Sequence, residues 1–137
     1  MIPKIIHYCW FGKGKKPELA EKCIASWKKY CPDYKIIEWN ESNFDVNRNG
    51  YTKYCYDNKK YAFLSDYVRL VILEEYGGIY FDTDVEVIKA LGNITQNEVY
   101  LGFENNQYIN TGLGFGGEAH HPVLQALLRQ YDPLLDG

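Results

Sequence analysis

The sequence predicts an α/β fold with a largely parallel central sheet flanked by helices. Three observations carry that expectation: short apolar, β-branched segments at residues 2–8, 34–39 and 79–81, helical periodicity between them, and turn residues at each changeover. Residues 2–8 (IPKIIHY) read as a first buried strand that ends at Phe11 and Gly12, where a basic loop (GKGKK) follows. Pro17 suits a first helical turn, and Leu19, Cys23, Ile24 and Trp27 recur at helical spacing until Cys31 and Pro32 stop the helix. Residues 34–39 (YKIIEW) form the second strand, and 41–51 (ESNFDVNRNGY) a polar surface connection. From 60 to 76 the chain is apolar on nearly every side, as in a helix buried between other elements, and Gly77-Gly78 ends it. Residues 79–81 are the third strand, 85–88, 99–103 and 111–115 read as further short strands, and 122–131 as a last amphipathic helix. After that helix, DPLLDG supplies no closing element, which points to a C-terminally truncated form of the fold.

A chain of 137 residues suits one core, so residues 1–137 are expected to form a single domain. With 46% hydrophobic and 24% charged residues, disorder, collagen-like repetition and coiled coil are excluded. The net charge of −3 argues against a nucleic-acid binder, which needs a basic field. The charge is uneven: residues 1–60 hold 12 basic and 7 acidic side chains, residues 61–137 hold 3 and 11. An acidic second half can hold a cation, and a basic first half can meet phosphate or an anionic membrane surface, although most such charges are solvated surface. The start lacks a secretory signal and no apolar run approaches a bilayer span, so the expected location is the cytoplasm, with peripheral contact at the inner face of the membrane. Cys9, Cys23, Cys31 and Cys55 are too widely spaced for a zinc knuckle and too few for a disulfide scaffold; reduced structural thiols are expected.

The chemistry concentrates where Asp82-Thr83-Asp84 follows the apolar strand 79–81. Ligands of α/β folds gather at the carboxyl ends of strands. In extended chain, positions two apart point the same way, so both carboxylates can address one hard cation such as Mg²⁺ or Mn²⁺, which shares its oxygen ligands with substrate phosphates. Two solvated turn aspartates are the competing account. On the preceding helix, Ser65, Asp66 and Arg69 interrupt an apolar pattern. Asp66 and Arg69 lie on one helical face and can simply pair with each other; alternatively Asp66 accepts hydrogen bonds from sugar hydroxyls while Arg69 steadies it or meets a phosphate. Trp10 is a platform for a flat base or a packing residue. His7 reads as a hydrogen-bonded core histidine, and Asn110 as an amide that grips hydroxyls or forms a turn.

These residues carry a resemblance. The segments IPKIIHYCWFG, SDYVRLVILEEYGGIYFDTD and YINTGLGFGG, in that order, resemble the glycosyltransferases with a DXD sugar-binding region, family 32, and are similar to the catalytic domains of large clostridial glucosylating toxins. The resemblance implies a GT-A-like, Rossmann-like nucleotide-sugar-binding fold. It also implies a retaining, metal-dependent transfer of a sugar from a nucleotide-sugar donor, a UDP-sugar ahead of a GDP-sugar, to a saccharide or glycolipid acceptor, in surface polysaccharide synthesis. It implies that Trp10 stacks on the base, that Asp66 and Arg69 contact the donor sugar, and that Asp82 touches ribose or sugar. Asp84, with Asp82, would ligate Mn²⁺ or Mg²⁺, Tyr80 would line the nucleotide site, and Asn110 would lie near the donor sugar. Relatives continue past this point and supply further metal or diphosphate contacts there.

Two other readings compete. A haloacid-dehalogenase-like phosphatase would use Asp82 as nucleophile and Asp84 as general acid. A lysine beside a later acidic pair, which that chemistry wants, is not evident, since Lys89 is the one lysine after position 60. A non-catalytic carbohydrate- or nucleotide-binding module would need little beyond the aromatic surplus of 13 tyrosines.

Overall fold

The computed structural model describes residues 1–101, 103–105, 108–109 and 114–136. Strand β1 (Ile5–Cys9) is followed by α1 (Glu18–Tyr30), β2 (Lys35–Trp39), α2 (Gly50–Asp57), α3 (Tyr61–Tyr76) and β3 (Gly78–Tyr80). Then come β4 (Val99–Leu101), β5 (Phe103–Asn105), β6 (Tyr108–Ile109), β7 (Phe115–Gly117) and α4 (Pro122–Arg129). The main sheet has the order β2-β1-β3-β7-β4, and β5 and β6 form a separate antiparallel pair. Strands β2, β1 and β3 run parallel, while β7 is antiparallel to both β3 and β4, so four of the five strands share one direction.

Side-chain alternation along the strands makes three layers. In β1, Ile6 and Tyr8 pack with Trp27 of α1, whereas Cys9 joins the cluster around α3. In β3 and just beyond, Ile79 and Phe81 face α1 while Tyr80 faces α3. Helix α3 is buried from Tyr67 through Leu73, as its all-round apolar pattern requires. It stops at Gly77, whose φ of +70° suits glycine at a helix end and whose N–H reaches the Leu73 carbonyl at 2.9 Å. Gly78 then passes so close to β1 that a Cβ would lie 2.8 Å from Nε2 of His7.

His7 is fully buried. Its ring bridges two elements, with Nε2 2.8 Å from the Gly77 carbonyl and Nδ1 accepting from Nε1 of Trp39 at 3.0 Å. This is the hydrogen-bonded core histidine expected. The four cysteines are buried and free.

The structure differs from the sequence reading at several elements. Residues 85–88 are not a strand; Val85 closes a turn by donating to the Asp82 carbonyl at 3.0 Å, and Val87 is buried from an irregular segment. The polar stretch expected as a connection leads into helix α2, which Asn49 and Thr52 cap reciprocally. Its eight residues bury only Thr52 and Cys55, too short a pattern for periodicity to reveal. The expected strand 99–103 is observed as β4 and β5; of the strand expected at 111–115, residues 111–113 lie outside the described residues, Gly114 is irregular and Phe115 opens β7, which runs on to Gly117.

Candidate functional site

Connections from β1 lead through α1 to β2 on one side, and from β2 through α2 and α3 to β3 on the other. The carboxyl ends of β1 and β3 therefore flank the point where strand order reverses, the place where α/β sheets bind ligands. A cleft of about 560 Å³ opens there. Its walls come from three segments: the end of β1 and the loop beyond it, from Cys9 to Gly12 with Gly14; the first turns of α3 at Tyr61, Ala62, Ser65 and Asp66; and Tyr80 at the end of β3 with Asp82, Thr83 and Asp84 beyond.

Trp10, Asp66, Tyr80, Asp82 and Asp84 all line this cleft. The indole of Trp10 is fixed by Nε1–H donating to the Gly14 carbonyl at 2.8 Å. Tyr80 is buried on the face toward α3, and Asp82, two residues on, follows it toward that helix. The two motif aspartates are not in extended chain as expected. A turn at Thr83 and Asp84 separates them, and both still open into the cleft. Asn110 lies outside the described residues.

Arg69 is not among the lining side chains; it is nine-tenths buried behind them. Its Nη2 lies 2.6 Å from Oδ1 of Asp66 and its Nη1 3.6 Å from Oδ1 of Asp82. The guanidinium lies 5.6 Å from the ring of Tyr80 and 5.9 Å from that of Phe115, two rings that neighbour each other at 6.1 Å, and its Nε has no hydrogen-bond partner among the described residues. The helical ion pair with Asp66 is present and extends to a second carboxylate just beyond β3; it is common to the account of a simple structural pair and to the one in which Arg69 steadies Asp66.

Electrostatically, the cleft carries three carboxylates against one guanidinium. Burial lifts the Asp82 carboxyl above its ordinary range, Arg69 opposes that, and Asp84 and Asp66 reinforce it. Such a surplus of oxygen donors fits a hard divalent cation. Among the described residues no group of three or more histidine, cysteine, aspartate or glutamate side chains is placed to hold a metal ion; Asp82 and Asp84 are the pair in this cleft whose oxygens would suit one. The thiol of Cys9 is pushed up to about 12 by burial, so it is no nucleophile at neutral pH.

Sequence reasoning left Tyr61 and Ala62 out of the site and noted Ser65 only as an interruption. The signal was available: residues 61, 62, 65, 66 and 69 form one helical stripe in which small side chains leave room beside Asp66.

A family profile described as the glycosyltransferase sugar-binding region containing DXD motif matches residues 17–101. Inositol phosphoceramide mannosyltransferase 3 of Schizosaccharomyces pombe is 33% identical over 137 residues, which cover 93% of this chain and 36% of that protein. Alpha-1,4-N-acetylglucosaminyltransferase of Homo sapiens is 30% identical over 105 residues, 76% of this chain and 26% of that protein. Among solved structures, the PaToxG glycosyltransferase aligns with a TM-score of 0.75 over 93% of this chain and 58% of that one, at 21% identity. That likeness of fold bears out the GT-A-like architecture expected from sequence. The chain spans about a third of the first of these relatives and about a quarter of the second.

Proposed function

The chain belongs to the glycosyltransferases whose sugar-binding region contains the DXD motif, and on that premise we propose that it transfers a sugar, with retention, from a nucleoside diphosphate sugar to a saccharide or glycolipid acceptor. The observation that carries this reading is the meeting of Trp10, Asp66, Asp82 and Asp84 in one cleft at the carboxyl ends of β1 and β3. Trp10 offers its plane to the base. Asp66 accepts hydrogen bonds from hydroxyls of the donor sugar, held in one rotamer by Arg69. Asp82 and Asp84 would hold Mn²⁺ or Mg²⁺, which when bound would neutralise charge on the leaving diphosphate, and Asp82 would also contact the ribose or sugar. Arg69, already engaged with two carboxylates, acts as a positioning residue, with the ring of Tyr80 against its guanidinium.

Relatives named for inositol phosphoceramide and lactosylceramide chemistry favour a glycolipid acceptor. For the donor, a UDP-sugar is placed ahead of a GDP-sugar, and the product is placed in surface polysaccharide or glycolipid synthesis. The test is a panel of UDP- and GDP-sugars with Mn²⁺, read as release of nucleoside diphosphate and, by NMR, as the anomeric configuration of the product. Release confined to one donor class with retained configuration supports the reading. Phosphate release from simple monoesters would support the phosphatase, and donor binding without turnover the binding module.

A further inference from the structure

One lip of the cleft is basic and apolar, and the donor chemistry uses none of its charged side chains. Gly12, in the left-handed region at φ +93°, seats the basic loop directly on α3, since a Cβ there would fall 2.6 Å from the ring of Tyr61. Glu41 ties the same loop to α2, accepting from the Gly12 N–H at 2.5 Å and from the Tyr56 hydroxyl at 2.9 Å. Loop 12–16 and the corner between α2 and α3 thus form one continuous edge beside the cleft mouth. Along it Lys13, Lys15, Lys59 and Lys60 are exposed. None of the four has an ion-pair partner among the described residues, while the nearby acids are engaged: Glu38 with Lys16, Asp57 with Lys53, and Glu41 as just described. Phe63, one residue beyond the lining Ala62, is 56% exposed, with the Lys60 ammonium 5.8 Å from its ring centroid.

We propose that this lip docks on an anionic lipid bilayer, so that the cleft mouth meets an acceptor at the membrane surface. An exposed aromatic ring interleaved with lysines matches a headgroup interface, where the ring enters the acyl boundary and the ammonium groups meet phosphates. Charge complementarity selects the occupant: although the chain as a whole carries −3, this edge presents four lysines without ion-pair partners among the described residues, a local positive charge that suits an anionic surface. Membrane docking goes beyond the donor-site reading, and binding is read without turnover, so either can fail alone.

Sedimentation with phosphatidylcholine vesicles, with and without phosphatidylserine, tests it on the full chain. Binding should require phosphatidylserine and weaken as salt rises. Lys59→Ala/Lys60→Ala should bind about thirtyfold more weakly, at roughly fivefold per lysine. Phe63→Ser should weaken binding with an unchanged salt slope. All three positions are exposed, so release of nucleoside diphosphate from a donor sugar should stay at the parent rate. Equal binding to both vesicle types, or parent-like binding by the double variant, overturns the proposal. So does tight capture by soluble polyglutamate with indifference to vesicles, which would assign the lip to an acidic protein.

Discussion

Arg69 Nη2 stands 2.6 Å from Asp66 Oδ1 on the same helix, while its Nη1 reaches 3.6 Å across to Asp82 Oδ1 at the end of β3. One guanidinium therefore sets the spacing of two carboxylates that belong to different elements. Its single charge between them gives the cleft a fixed geometry before any ligand enters.

Arg69→Ala should for that reason lower both stability and donor affinity. The remaining carboxylates are partly solvated, so the loss is about 1–3 kcal/mol rather than that of a fully buried pair. Arg69→Lys can keep one of the two ion pairs and should recover part of the stability with less of the affinity, because a point charge does not span both partners. Urea unfolding and nucleotide titration of the two variants check this.

Asp82 carries the opposite sign. Burial raises its carboxyl above the ordinary 3.8, so the native state holds that proton more tightly than the unfolded chain. Between 3.8 and the raised value, stability falls as pH rises, and at neutral pH the ionised group is destabilising. Asp82→Asn should melt higher than the parent at pH 7, with the difference shrinking toward pH 4, while metal-dependent nucleotide binding is lost. Melting curves across pH read the first effect and titration the second.

Trp10 and Asp66 should separate by ligand. Trp10→Ala removes the stacking platform and should raise the dissociation constant of the bare nucleoside diphosphate about ten to hundredfold, on the order of 1–3 kcal/mol. Asp66→Asn should leave that constant nearly unchanged and weaken the sugar-bearing donor instead. Calorimetry with both ligands on both variants distinguishes them.

His7 gives the fold an acid limit. Desolvation holds its imidazole down at about 4, against an ordinary 6.5, so its contribution is complete above 6.5 and is lost as pH falls toward 4. The loss is about 3 kcal/mol across that window. Unfolding free energies at pH 7 and pH 4.5 should show it, and His7→Gln, less stable throughout, should show a flatter dependence on pH.

Much of this architecture was legible because the signals were local. The 16-residue apolar pattern of α3, bracketed by Lys60 and Gly77, and the β-branched run at Ile5 and Ile6 specify their elements with little tertiary help. The segment 85–88 has the same composition as a strand, but the turn that Asp82 and Val85 close takes it off the sheet, and the pattern is blind to that. Helix α2 depends on the Asn49–Thr52 cap more than on periodicity. At the site, the sequence spaces Asp66 from Arg69 and Asp82 from Asp84. It does not reveal that Arg69 lies behind the wall, because that depends on Tyr80 and Phe115, from two paired strands, closing over its guanidinium. Nor does it show Gly12 against Tyr61, a contact between segments far apart in the chain that closes one side of the cleft.

The central claim is that Asp82 and Asp84 bind a nucleoside diphosphate through a divalent ion, and thermal unfolding with UDP or GDP, in Mn²⁺ or in EDTA, tests it most directly. With Mn²⁺, ligand at about 100 times its dissociation constant should stabilise the chain by roughly 2.7 kcal/mol, and in EDTA by almost nothing. Asp84→Asn should lose most of that shift and regain part of it at raised Mn²⁺. Equal stabilisation with and without the ion, or none from either nucleotide, would contradict the account.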